Sequence, residues 1–211
     1  MSALGLHVLA PGPLDQRTGG YIYDARMVQG LRERGWHVEF HSLRGDFPLP
    51  NDGACRNLTR ALAGIPDGSR VILDGLTLGV CPDVLSKHRE RLSLVALVHH
   101  PLSDETGLSA DMRDLLMRHE KQSLSAVAGV VVTSGFTADT LKRFGVSSER
   151  VRVVTPGVDK AGFAEGPASD APPELLVVGA VIPRKGHDIL VRALVSLTQY
   201  RWHCVCAGSL V

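Results

Sequence analysis

Leu92-Ser-Leu-Val-Ala-Leu-Val98 runs without a break into His99-His100-Pro101. Six of the seven strand positions are apolar, so the run lacks the in-out alternation of a half-exposed strand. A strand of this kind is covered by helices on both faces, the condition of a parallel sheet. Similar runs flank it at Leu6 to Leu9, Val38 to Ser42, Arg70 to Asp74, Val130 to Thr133 and Val151 to Val154. Two more follow at Leu175 to Val178 and Trp202 to Cys206. Amphipathic segments lie between them. Tyr21 to Arg34 groups Ile22, Ala25, Val28 and Leu31, with Thr18 as a cap and Gly35 as a stop. Ser109 to Ala126 groups Met112, Leu115, Leu116 and His119; Ser134 to Phe144 approximately aligns Phe136, Leu141 and Phe144. Asp188 to Gln199 groups Ile189, Leu190, Ala193, Leu194 and Leu197. Strand–helix alternation of this order predicts an α/β class with a doubly wound parallel sheet.

Residues 156–173 interrupt the pattern with Pro156, Gly157, Gly162, Gly166, Pro167, Pro172 and Pro173, the composition of a linker. Residues 1–155 are therefore expected to form a first domain. Residues 174–211 suffice for one β-α-β unit, which cannot cover both faces of its strands unaided.

The chain has 211 residues, 44% hydrophobic and 21% charged, values that exclude a disordered chain and allow a sizeable core. A net charge of +1 gives no general attraction to nucleic acid or an acidic membrane. Aromatics at 5% are too few for a platform that stacks bases. No apolar run reaches bilayer length, and the N-terminus lacks a secretory pattern. Arg113, Arg118 and Lys121 are interspersed with Asp111, Asp114 and Glu120, so the Ser109 to Ala126 segment reads as a solvated face with at most peripheral membrane contact. Cys55, Cys81, Cys204 and Cys206 show no zinc-finger spacing and are expected to be reduced, in a cytoplasmic protein at most peripheral to the inner membrane surface.

Ligands of open α/β sheets bind outside the carboxyl ends of the strands, so the residues after each strand carry the functional information. Gly19-Gly20 follows the first strand and opens a helix, where free N–H groups and the helix dipole suit a phosphate. A tight turn alone would also need the pair. Neither G-x-G-x-x-G nor G-x-x-x-x-G-K-[ST] is present, which argues against a nicotinamide dinucleotide or P-loop site. Asp74 closes the third strand. His99 and His100 close the fourth, with Asp104 and Glu105 just beyond. Their spacing matches no metal motif, and the absence of D-x-D argues against a Mg²⁺ held by paired carboxylates. No G-x-S-x-G marks a hydrolase nucleophile. Ser134 stands after the fifth strand, where a hydroxyl most simply caps the next helix. Arg184 and Lys185 precede a helix N-terminus, an arrangement that would hold a diphosphate, although an isolated pair of this kind is usually solvated.

Gly179-x-x-x-Pro183-Arg184-Lys185-Gly186, with Leu190 and Ala193-Leu194 beyond it, resembles the opening of the donor-binding domain of GT-B glycosyltransferases of family 4 (group 1). The Gly-Gly loop, the histidine closing strand four, Val-Val-Thr-Ser at strand five and Val-x-Val-Val-Thr-Pro-Gly-Val-Asp159 fit the same family in the same order. The resemblance covers essentially the whole chain. It implies a Rossmann-like acceptor-side domain at 1–155 and an incomplete second Rossmann-like unit, the start of the nucleotide-sugar-binding domain, at 174–211.

On this resemblance Gly19 and Gly20 approach the donor diphosphate and sugar, and His99, or His100 in its place, is the catalytic histidine. Arg184 and Lys185 neutralise the departing nucleoside diphosphate. Asp74, Asp104, Glu105 and Ser134 lie on the acceptor side. The family transfers a sugar from a nucleotide-diphosphate sugar, usually with retention, without an obligatory metal or other cofactor. The partners implied are the nucleotide sugar and a carbohydrate, lipid-linked or small-molecule acceptor. The family's Glu-x7-Glu motif and closing helix would lie beyond Val211, so the expectation is a fragment with little activity alone. The alternative is a non-catalytic glycan- or partner-binding module, and a weaker third reading is a two-domain Rossmann-like enzyme such as a sugar-nucleotide epimerase.

Overall fold

The computed structural model describes residues 5–49, 51–163, 166 and 170–210; Pro167 of the expected linker and Val211 lie outside them. Six strands form one wholly parallel sheet: β1 (Gly5–Pro11), β2 (His37–Leu43), β3 (Arg70–Asp74), β4 (Ser93–Val98), β5 (Gly129–Val132) and β6 (Val151–Val153). Their order is β2-β1-β3-β4-β5-β6. The chain winds outward from β1 to β2, crosses back to β3 and then proceeds the other way. The strand order therefore reverses between β1 and β3, where an open α/β sheet leaves a crevice at its carboxyl edge.

The helices are α1 (Gly19–Glu33), α2 (Asp52–Ala63), α3 (Pro82–His88), α4 (Ala110–Ala126) and α5 (Gly135–Thr140). Thr18, Asn51, Ser109 and Ser134 cap α1, α2, α4 and α5, each accepting a backbone N–H three residues on. Such caps satisfy donors that the first helical turn leaves unpaired. Leu6, Val8 and Val38 on one sheet face pack with Val28 of α1. The larger core lies on the other face, where Leu9, Leu73 and Leu94 meet Leu58 and Leu62 of α2, Leu85 of α3 and Leu124 of α4.

Four departures from the sequence reading have local causes. Helices α2 and α3 were not anticipated. Ile22 and Phe136, expected on buried faces, are exposed. The helix that begins at Gly135 tightens to 3₁₀ form over Leu141–Phe144, so Leu141 and Phe144 are buried out of phase with Phe136. Cys55 and Cys81, expected to be reduced, form a disulfide with Cα atoms 5.4 Å apart, and only Cys204 and Cys206 are free. The fold lays α2 beside the start of α3, a proximity that a separation of 26 residues does not reveal.

The chain divides into two compact units, one of residues 1–104 and 108–157, the other of residues 105–107 and 158–211. In the second, β7 (Glu174–Val178) and β8 (His203–Ala207) pair in parallel, with α6 (His187–Val195) between them in sequence. Among its described residues only Leu194 is buried, while Leu176, Val178, Ile189, Val191 and Val195 are exposed. No helix among the described residues is long and apolar enough to cross a membrane.

Candidate functional site

The loop after β1 is shaped by its own polar groups. Gln16 Nε2 donates to the carbonyls of Pro11 (3.3 Å) and Pro13 (3.1 Å), and Tyr21 Oη donates to Pro11 O. The loop delivers Thr18 as the cap of α1, whose first N–H groups, those of Gly19 and Gly20, have no intrahelical acceptor. A side chain at Gly19 would meet nothing within 4 Å. At Gly20 a Cβ would lie 3.3 Å from Cδ2 and 3.5 Å from Nε2 of His99, so the bare glycine lets the imidazole approach the helix.

His99 stands one residue past β4 and is held on three sides. Its Nε2 lies 3.0 Å from Asp24 Oδ1, one turn into α1, and 3.8 Å from Asp74 Oδ2, the last residue of β3. The Tyr23 ring meets it edge-on, centroids 5.3 Å apart at 84°. Tyr23 is itself anchored, its hydroxyl donating to Val154 O at 2.9 Å. Asp24 is 2% exposed and Asp74 4%. Two buried carboxyls and an imidazole thus converge at the sheet's switch point, beside a helix N-terminus.

Burial and the neighbouring charges together set the direction in which each group shifts. It pushes the Asp74 carboxyl up, and the neighbouring Asp24 charge pushes it further, from 3.8 to about 7. The Leu76 N–H (2.9 Å) and His99 pull the other way without prevailing. Burial alone would lower His99, but its hydrogen bond to Asp24 and the charges of Asp24 and Asp74 reverse this and raise it above 6.5. The same three residues each offer one ligand atom, all within 4.8 Å of one another, a set that a divalent cation could also occupy.

The Glycosyltransferase Family 4 model matches residues 19–161, from the first residue of α1 past the end of β6. The chain belongs to glycosyltransferase family 4. Among solved structures, the family-4 chain is similar to the apo form of the lipopolysaccharide outer core galactosyltransferase WaaB, at a TM-score of 0.61 and 14% identity. The alignment covers 96% of this chain and 60% of that one. The likeness establishes the GT-B type of α/β fold, and this chain spans well under two thirds of that enzyme's length. No curated protein sequence matches the chain significantly.

Within this family-4 chain the expected site residues separate into groups. Gly20, His99 and Asp74 come together, with Gly19 at the adjoining helix end. His100 follows His99 but does not join the carboxyls; its Nε2 is buried without a hydrogen-bond partner. Asp104 pairs with Arg143 in a short 3₁₀ turn after β4. Ser134 caps α5, accepting from Thr137 N at 3.1 Å. In the second unit Arg184 Nε donates to both Glu105 oxygens, at 3.0 and 3.2 Å. A Cβ on Gly179 would lie 3.6 Å from the Lys185 chain. Next to them both ring nitrogens of His187 are buried and unpartnered.

Asp24 is the site residue that the sequence reading missed. Its signal was a carboxylate four residues before Val28 and seven before Leu31, in line with the apolar stripe of α1. A charge on a buried helical face must find a partner, and a search for one would have led to His99.

Proposed function

We propose that this family-4 chain binds a nucleotide-diphosphate sugar and takes part in transferring the sugar to an acceptor hydroxyl, with retention and without a metal ion. The observation that carries the reading is the contact between Gly20 and His99 above two buried carboxyls. It sets accessible amide hydrogens and an imidazole whose proton the carboxyls favour side by side at the sheet's switch point.

Departure of a nucleoside diphosphate builds negative charge on the leaving oxygen and positive character on the sugar. Helix N–H groups and fixed cations directed at the first charge lower the barrier, and loss of one such donor slows comparable reactions by about 10²–10³. In this reading Gly19 and Gly20 donate to the diphosphate. His99, with Nε2 engaged by Asp24, offers Nδ1 to the sugar or its phosphate. Arg184 and Lys185 supply positive charge to the leaving group. Proton binding, which the surroundings favour at both Asp74 and His99, would offset carboxylate charge at the site.

The exposed apolar faces of β7 and α6 support a further part of the proposal: the second unit is the beginning of a larger donor domain. The 211-residue chain then binds its donor weakly. NMR titration of the chain with UDP, GDP and ADP, first without and then with EDTA, tests the reading. The expected result is amide shifts at Gly19 and Gly20, and ring shifts at His99, with at least one nucleotide. Silence at all three residues with every nucleotide defeats it, as does a response that disappears when EDTA is added.

A further inference from the structure

Outside the candidate site, across the edge strand β2 and its neighbour β1, two histidines and a glutamate converge. His7 of β1 sits opposite Glu39 of β2, and His41 lies two residues further along the same face of β2. His7 Nδ1 is 3.0 Å from His41 Nε2 and 3.4 Å from Glu39 Oε2, and His41 Nε2 is 3.7 Å from Glu39 Oε1. The rings are tilted by 36° with centroids 5.2 Å apart.

These separations are close to the edges of a metal tetrahedron. Metal–nitrogen bonds of about 2.0–2.1 Å at tetrahedral angles place the ligand atoms about 3.3–3.4 Å apart. The histidine nitrogens stand 3.0 Å apart, and each meets a different Glu39 oxygen, at 3.4 or 3.7 Å. One ligand atom from each of the three residues lies within 4.8 Å of the others, a span that small side-chain rotations bring onto one ion. Two imidazoles and one carboxylate favour a borderline dication such as Zn²⁺ over Mg²⁺ or Ca²⁺, which prefer all-oxygen shells. The backbone already fixes the spacing: alternate residues of one strand and the facing residue of its neighbour share a sheet face by pleat and register. The His7 and His41 side chains are mostly covered, 14% and 23% exposed, while Glu39 is 55% exposed and reaches solvent, so an ion can arrive from the open side.

From this convergence we infer that His7, Glu39 and His41 form a Zn²⁺-class metal site, with a fourth position open to water. A bound ion would tie edge strand β2 to central strand β1. The inference does not depend on the proposed glycosyl transfer, since no residue is shared with that site.

The test titrates the whole chain with Zn²⁺ against a chromophoric chelator at neutral pH, in a Cys204→Ser, Cys206→Ser background that removes the free thiols. The expected result is one tightly bound equivalent, shifted His7 and His41 ring resonances, and affinity weakened about tenfold or more in His41→Ala and in Glu39→Gln. Glu39 is exposed, so Glu39→Gln reports on the site even if a histidine variant folds poorly. Unchanged affinity in Glu39→Gln overturns the inference. So does Zn²⁺ binding that shifts His99 while leaving His7 and His41 unmoved.

Discussion

Asp24 controls two neighbours at once, and its charge acts on both in the same direction. It raises His99 above 6.5 and helps to raise Asp74 from 3.8 to about 7. In both cases the folded protein holds a proton that the unfolded chain releases more readily. The stability tied to these groups is therefore complete at low pH. For Asp74 it declines from about pH 4 as pH climbs through about 7, and for His99 it is lost above 6.5, as pH passes its folded value. In Asp24→Asn the burial of His99 is opposed only by the Asp74 charge, so the His99 pKa should fall. NMR titration of its ring reads this directly. Thermal unfolding of the variant between pH 4.5 and 8 should then show a flatter decline than wild type. A His99 pKa unchanged in Asp24→Asn would show that Asp24 is not the controlling charge.

Among the elements, the join between α4 and the loop after β4 depends on one buried acid. Glu120 accepts from Leu102 N (2.6 Å), Ser103 N (3.0 Å) and Ser103 Oγ (2.7 Å). Burial pushes its carboxyl up while these donors hold it down, and the net direction is upward. Glu120→Ala leaves buried donors unpaired at about 1–3 kcal/mol each, so urea unfolding should show a loss of about 3 kcal/mol. Glu120→Gln, which retains one oxygen, should lose less. A Glu120→Ala protein within about 0.5 kcal/mol of wild type would mean that water replaces the carboxylate without penalty. This clamp was not legible in the sequence, because it joins residues 17 and 18 apart across a loop. The strands were legible: a run such as Leu92 to Val98 has few alternatives once it is apolar on both faces. Helix α2 left a fainter trace, with Ala54, Leu58 and Leu62 at fourfold spacing behind a glycine at Gly53. Helix α3, seven residues beginning with Pro82, is too short for periodicity to declare it. The Gly19-Gly20 loop and His99 could be read as candidates from their places after strands. Their partnership with Asp24 could not, since it depends on how α1 rotates over the sheet.

At the scale of the molecule, burial is distributed unequally. Of the described apolar residues that are buried, all but Leu194 belong to the first unit. The second unit keeps a parallel strand pair and a short helix while leaving Leu176, Val178, Val191 and Val195 to water. Apolar burial is the main favourable term in folding, at about 25 cal/mol per Å² removed from solvent. A unit that hides so little of its apolar surface has little to set against the entropy of ordering its backbone. Local opening should therefore differ sharply between the two units. Hydrogen exchange should show β7, β8 and α6 exchanging orders of magnitude faster than β1, β3 and β4. Urea should release the second unit in a separate transition at lower concentration, with Trp202 fluorescence changing before Trp36, which packs against the α1-side core. Uniform protection across all eight strands, or coincident changes at both tryptophans, would mean that the second unit draws stability from a source other than its own core.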